Sequence, residues 1–456
     1  MTGSELISAS PHGGTESWRR CWGQVGGLVF GVALVDAFLS RGAFFPGDFE
    51  RTCALSAVAL ACAAMGGAPV RVPAAVMALV AGSAVAAAGL AGSPVAAAGP
   101  VVGLGIVLAA GVAVGAAAPP RRAGWLAAAV VAVATMVASS AWLGIAARHA
   151  PWVGASEGVW RGASTLTYAN AAGVAAAMGM SLAVAWRATA GTLAPALATT
   201  VLWIGVACSL SRAAWLAALA GIALVAVLLG WRRVLVAVAP GLVGAGLAVV
   251  ALVPSMVELR PHQPALAVAG LILGLAATWW LTTRSLRARD AMVLVALLGA
   301  CAVALLLARD SVPSAILSPR LTPVSQDRVA EWSAAWDAFA DQPLAGSGPG
   351  NLRLVWRDDL GRPRFARFAH NEYLELAATE GIVGLAAFGL AVVLFTRELR
   401  RGRQTAPSWV RAGGGGALAG FALASAFDFL WHVPALPMTA ALLAGLLLSR
   451  QREATG

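Results

Sequence analysis

One histidine stands where proton transfer is chemically reasonable. His370 precedes Asn371 in Phe368-Ala-His370-Asn371-Glu372-Tyr-Leu-Glu375, at the point where an apolar helix begins. If Asn371 caps that helix, His370 sits beside its positive end, where the dipole favours the neutral, proton-accepting imidazole. Upstream, the run from Arg328 to Ala340 puts Val329, Trp332, Trp336 and Phe339 on one helical face, with Arg328, Glu331, Asp337 and Asp341 off it. Such a helix would lie flat on a membrane surface or cap a bundle. Next, Pro343-Leu-Ala-Gly-Ser-Gly-Pro-Gly-Asn351 demands a tight turn, and its glycine spacing leaves a phosphate cradle open as one reading. Arg353, Arg357, Arg362, Arg364 and Arg367 then face Asp358 and Asp359, a pattern suited to an anionic ligand or lipid headgroups, or to a solvated loop.

Arg212 is the one charge between Arg187 and Arg232 in otherwise apolar sequence. A charge near a membrane is costly enough to imply a role, and a guanidinium fork matches phosphate oxygens without losing its proton. A snorkelling interfacial arginine is the plainer alternative. His432 follows Phe427-Asp428-Phe429 and either lines the same cavity or is structural. Asp48-Phe-Glu50, read as a loop, is weighed as a cation-binding acidic pair. Tyr168 and Asn170 suit sugar contact or helix capping, while His149 and His262 have no partners at metal-ligand spacing. No metal or cofactor is expected.

The elements that must hold these groups follow from composition. The chain has 456 residues, 59% hydrophobic and 12% charged, with a mean hydropathy of +0.78. Soluble domains carry about twice that charge fraction, so a soluble enzyme and disorder are both excluded. Apolar runs near 22–40, 52–67, 72–92, 98–118, 124–146, 166–186, 193–210, 213–230, 234–253, 264–283, 291–308, 379–396, 412–428 and 433–449 predict an all-α polytopic membrane protein of about 12 to 14 transmembrane helices in one bundle. The predicted organisation is a cytoplasmic tail 1–21, a bundle 22–308, an extracytoplasmic loop 309–378 with its amphipathic helix at 328–340, C-terminal membrane helices 379–449 and a tail 450–456. The net charge of +11 is carried by arginine, with no lysine in the chain, and the arginines cluster at alternate connections. That pattern reads as positive-inside topology, not nucleic-acid binding, and puts the large loop outside the cytoplasmic membrane. Five cysteines lack paired spacing, so no disulfide framework is implied.

Several motifs, in order and spacing from about Tyr168 to Leu448, resemble the O-antigen ligase and polymerase superfamily. They are Ser209-Leu-Ser-Arg212-Ala-Ala-Trp215, Arg328-x-x-x-Trp332, Pro343-Leu-x-Gly346-x-Gly348-x-Gly350-Asn, the block from His370-Asn371-x-Tyr373 to Glu380-Gly381-Ile-x-Gly384, and Phe427-Asp428-Phe-x-x-His432-x-Pro434. The first 160 residues share only hydrophobicity with that family. The resemblance implies a metal-independent, inverting membrane glycosyltransferase of the C type. Such an enzyme takes a glycan from an undecaprenyl-pyrophosphate carrier and passes it to a lipid, polysaccharide or cell-wall acceptor on the outer face of the cytoplasmic membrane. It implies His370 as base and Arg212 and Arg328 as pyrophosphate ligands; Arg353, Arg357, Asn371, Glu372 and His432 are further candidates for substrate contact.

Two other readings remain at this point. A repeat-unit polymerase of the same superfamily uses the same donor. A lipid-linked sugar flippase would instead place ionisable residues at mid-membrane, where this sequence has almost none.

Overall fold

The computed structural model describes residues 12–69, 71–284, 287–307, 326–357, 361–401 and 404–449. All fourteen apolar runs fall on helices. They are α1 (His12–Leu39), α2 (Pro46–Met65), α3 (Arg71–Leu90), α4 (Gly99–Ala116), α5 (Pro120–Ala147), α6 (Ala169–Ala190), α7 (Leu193–Ser209), α8 (Arg212–Leu229), α9 (Trp231–Met256), α10 (Pro264–Thr283) and α11 (Ala288–Leu307). After α12 (Gln326–Asp341) come α13 (Glu372–Arg401), α14 (Ser408–Ser425) and α15 (Ala435–Leu447). Among the described residues, nine helices are long and apolar enough to cross a bilayer, and α7 and α15 are shorter apolar helices. The chain is a polytopic all-α membrane protein. Loop residues 309–325, the terminal segments 1–11 and 450–456, and Asp358 and Asp359 lie outside the described residues.

At the centre is α6, buried over 94% of its apolar window and packed on α5, α7, α8 and α14. Lipid tails give helices no hydrophobic reason to associate, so close backbone approach must supply the contact. Where α14 meets α8, a Cβ on Gly416 would lie 2.6 Å from the Gly221 carbonyl oxygen.

Connections alternate between two ends of the bundle. One end carries the arginines of the α2–α3, α4–α5, α6–α7, α8–α9 and α10–α11 connections, together with exposed Trp18, Trp125, Trp231, Trp279 and Trp280, as an interfacial aromatic belt would. The other end gathers the α1–α2, α3–α4, α5–α6, α7–α8, α9–α10 and α14–α15 connections under residues 326–371. Asn351 Nδ2 donates to Ser93 Oγ at 2.6 Å, Phe44 meets Phe368 edge-on at 6.3 Å, and Arg161 Nε donates to the Ser209 carbonyl at 2.9 Å.

Four features depart from the sequence expectation. The α5–α6 connection and the outer loop each fold a short antiparallel hairpin, β1 (Val153–Ser156) with β2 (Val159–Gly162) and β3 (Leu354–Arg357) with β4 (Pro363–Ala366). Asp48 and Glu50 lie in helix, not loop, because Pro46 starts α2 there. Arg51 bridges Asp48 (3.0 Å) and Asp36 (2.8 Å), which neutralises the acidic pair's first member. Third, α12 does not bury the whole of its apolar face: Glu331 and Ala335 are buried and Trp332 meets Phe427 at 6.3 Å, while Val329 and Trp336 are 56% and 58% exposed. Arg328 and Glu331 have partners on the inward side, whereas Asp337 and Asp341 stay exposed.

Finally, α13 begins at 372 rather than 379 and is broken at Gly381, whose backbone (φ 62°, ψ −152°) suits glycine alone. The glycine turn fills that break. Ser347 N and Gly348 N donate to the Ala378 and Thr379 carbonyls at 2.9 and 3.0 Å, and Ile382 N donates to the Pro343 carbonyl at 2.8 Å. These amides are spent on the helix and so are not available as a phosphate cradle.

Candidate active site

The helix start that carries His370 is built from its own sequence. Asn371 Oδ1 accepts from Tyr373 N and Leu374 N, each at 3.1 Å, as the capping reading requires. Glu375, one turn on, reaches back with Oε2 to accept from Ala369 N at 2.9 Å. Between these bonds the chain must reverse, and His370 does so in a left-handed conformation (φ 47°), uncommon for a residue with a Cβ. Its ring edge meets Phe429 at 4.9 Å, and Nδ1 lies 2.9 Å from Glu331 Oε2. Glu331 is nine-tenths buried, and its carboxylate orients the ring: in the tautomer that donates Nδ1–H to Glu331, Nε2 is the nitrogen left open.

The arginines converge from two other helix ends. Ser211 caps α8 by accepting from Ala214 N at 3.3 Å, which fixes Arg212 as the first residue of the helix after a tight turn at Leu210. Arg328, on the inward side of α12, donates from Nη1 to the Phe427 carbonyl at 2.7 Å. The Arg212 and Arg328 guanidinium groups are close enough for their charges to repel, and Glu157 attracts Arg212. Two cations held together at a membrane surface are stabilised by a divalent anion between them.

Beneath Arg328 lies a buried polar network that the sequence reading only touched. Asp428 is fully buried and accepts from Tyr168 Oη at 2.6 Å, from Asn170 Nδ2 and from Phe429 N at 2.9 Å. Arg161 Nη2 in turn donates to Asn170 Oδ1 at 2.5 Å. Burial and the Asp428 carboxylate push the Tyr168 phenol well above its usual range, so it remains a neutral donor. Tyr168 and Asn170 are therefore tied to the α14–α15 turn, not to capping. Stacked rings join this network to the histidine: Tyr168 on Phe429 at 4.9 Å, Phe429 on Phe368 at 4.8 Å.

The remaining candidates divide. Glu372 Oε1 accepts from Trp431 N at 2.5 Å and so helps hold the α14–α15 turn. His432 pairs through Nε2 with Glu375 Oε1 at 2.6 Å and lies 4.3 Å from Phe368. Burial works against its charge, but the Glu375 hydrogen bond and the charges of Glu375 and Glu372 outweigh burial and raise it to about 9. A histidine raised above its unfolded value stabilises the fold fully below about pH 6.5. That contribution is lost as pH climbs through about 9. Thermal unfolding in detergent micelles should accordingly move to lower temperature between pH 7 and 9.5, and Glu375→Gln should flatten the dependence.

Arg353 and Arg357 are not brought to this group. Both are exposed on the β3–β4 hairpin, where Arg357 Nη1 donates to the Gly361 carbonyl at 2.8 Å. Among the described residues no three His, Cys, Asp or Glu side chains converge as a metal ion would require. Sequence reasoning missed Glu331, Glu375, Asp428 and Arg161 as parts of the site. Glu331 had a local signal, since it lies one turn from Arg328 on the same helix face.

This end of the bundle thus carries an imidazole held by Glu331 and, from α8 and α12, two guanidinium groups whose charges interact, groups of the kind that transfer from a phosphate-bearing donor to a hydroxyl needs. No curated protein matches the chain. Residues 263–389, which include α12, Arg328, Glu331 and His370, match the family model described as O-Antigen ligase (Wzy_C). Over those residues the chain is similar to the O-antigen ligase domain.

Proposed function

We propose that the protein is an inverting, metal-independent glycosyltransferase that moves a glycan from an undecaprenyl-pyrophosphate carrier to a lipid, polysaccharide or cell-wall acceptor at the outer face of the cytoplasmic membrane. One observation carries the reading: His370 is held by Glu331, one turn from Arg328 on the same helix, Arg328 and Arg212 feel each other's charge, and both His370 and Arg328 lie in the segment that matches the ligase-family model. In the step envisaged, an acceptor hydroxyl attacks the anomeric carbon of the donor sugar while the bond from that carbon to the pyrophosphate oxygen breaks. His370 Nε2 takes the hydroxyl proton, and Glu331 stabilises the resulting imidazolium. Arg212 and Arg328 receive the charge that develops on the leaving pyrophosphate. The outward orientation is supported by the arginines that crowd the opposite end of the bundle.

Reconstitution in proteoliposomes tests the proposal. With undecaprenyl-pyrophosphate-linked glycan, a panel of acceptors and a chelator, glycan should move to an acceptor with release of undecaprenyl pyrophosphate. Translocation of intact donor without transfer, or transfer that the chelator abolishes, would overturn it.

A further inference from the structure

The β3–β4 hairpin has one face that the site does not use. Cross-strand pairing joins Leu354 with Ala366, Val355 with Phe365, and Trp356 with Arg364. Side chains alternate along a strand, and Leu354, Trp356 and Ala366 pack toward Ala335 of α12 with Leu352 and Ala369. The opposite face therefore carries Val355 and Phe365 at its centre, as direct cross-strand partners, 56% and 74% exposed. By the same alternation Arg353 and Arg357 flank Val355 and Arg367 flanks Phe365, all three exposed. Asp358 and Asp359 lie outside the described residues.

Two features indicate what covers this face. Its composition, an apolar centre within a rim of guanidinium groups, fits a bilayer interface: the rings and methyls reach the acyl boundary while arginine stems lie along apolar surface and their heads meet phosphates. Its height is also set. The hairpin springs from Asn351, whose Nδ2 is bonded to Ser93 Oγ in the α3–α4 connection, and Gly348 is packed against the same serine. That connection joins two candidate membrane spans, Arg71–Leu90 and Val95–Ala116, and α3 is a largely exposed helix.

We propose that this face rests on the adjoining leaflet and binds anionic phospholipid headgroups through Arg353, Arg357 and Arg367, with Val355 and Phe365 seated at the acyl boundary. The contact anchors the segment between the glycine turn and His370, and so holds that segment at a fixed height above the bilayer. It is independent of the sugar-transfer reading.

Spin-label accessibility tests it in the full chain. A nitroxide is attached to Val355→Cys with Phe365 retained, and separately to Phe365→Cys with Val355 retained, in nanodiscs of phosphatidylcholine with or without phosphatidylglycerol. A label at Asp337→Cys on the exposed side of α12 provides the aqueous reference. With phosphatidylglycerol, both hairpin labels should be several-fold less accessible to a nickel chelate and more accessible to oxygen than the reference. Pure phosphatidylcholine, or the combined Arg353→Ala and Arg367→Ala substitutions, should return them to reference values. Nickel accessibility equal to the reference in both lipids overturns the proposal. So does protection that appears only when an anionic polysaccharide such as alginate is added, because the face would then bind glycan. Native-like thermal unfolding of each labelled protein establishes that the outcome reports on the hairpin and not on misfolding.

Discussion

Replacing His370 by alanine is expected to leave donor binding intact and to cut glycan transfer by ~10²- to 10⁴-fold, the usual contribution of a positioned general base. The argument is geometric. Nδ1 is committed to Glu331, so Nε2 is the only ring nitrogen left to receive a proton, and the left-handed backbone between two hydrogen-bonded neighbours leaves the ring little freedom to turn. Glu331→Gln should be milder, about 10- to 100-fold, the scale seen when a group that orients a reactive side chain is replaced. It preserves an acceptor for Nδ1 but removes the negative charge that stabilises the imidazolium. The loss should appear in kcat, with the donor KM unchanged. Added imidazole should restore part of the activity of His370→Ala but not of Glu331→Gln, whose ring is still present. Full turnover in His370→Ala, measured by release of the lipid pyrophosphate, would sink the base assignment.

The membrane helices and the cap at Asn371 were legible because they depend on neighbours in the chain. Apolar length, clustered arginine and an asparagine before a helix are local signals, and all fourteen apolar runs became helices. The facing of α12 was not legible in the same way. The rule that a helix buries its apolar stripe is overridden where polar residues find buried partners, which leaves Val329 and Trp336 exposed. What drew Arg328 and Glu331 inward were partners 99 and 39 residues away, the Phe427 carbonyl and His370. Asp428 illustrates the same limit more sharply, since its donors Tyr168 and Asn170 lie 260 and 258 positions away. The glycine motif was legible as a tight turn but not as the plug in a helix break, because Gly381, the other half of that joint, reads in isolation as a glycine inside an apolar helix.

The two arginines should differ in a way that separates ligand binding from architecture. Arg212→Ala is expected to lower kcat/KM for the donor by ~10²- to 10³-fold, the scale for deleting one preorganised donor to a developing anion. Arg212→Lys should recover little, since a point charge cannot reproduce the planar fork. Thermal stability should change little in Arg212→Ala, because the change relieves its repulsion with Arg328 and forfeits the attraction of Glu157. Arg328→Ala should match it in activity yet also destabilise the fold, for it releases the Phe427 carbonyl beside the buried Asp428 network. A part-buried acceptor that loses its donor costs about 0.5 to 1.5 kcal/mol, so the melting temperature should fall by about a degree or more. The double substitution is the decisive measurement. Groups that grip one diphosphate act as a unit, so the pair should lose much less activity than the product of the two single losses. Losses that multiply fully would mean the guanidinium groups serve different ligands, and the shared pyrophosphate site would have to be abandoned even with both arginines at the same end of the bundle.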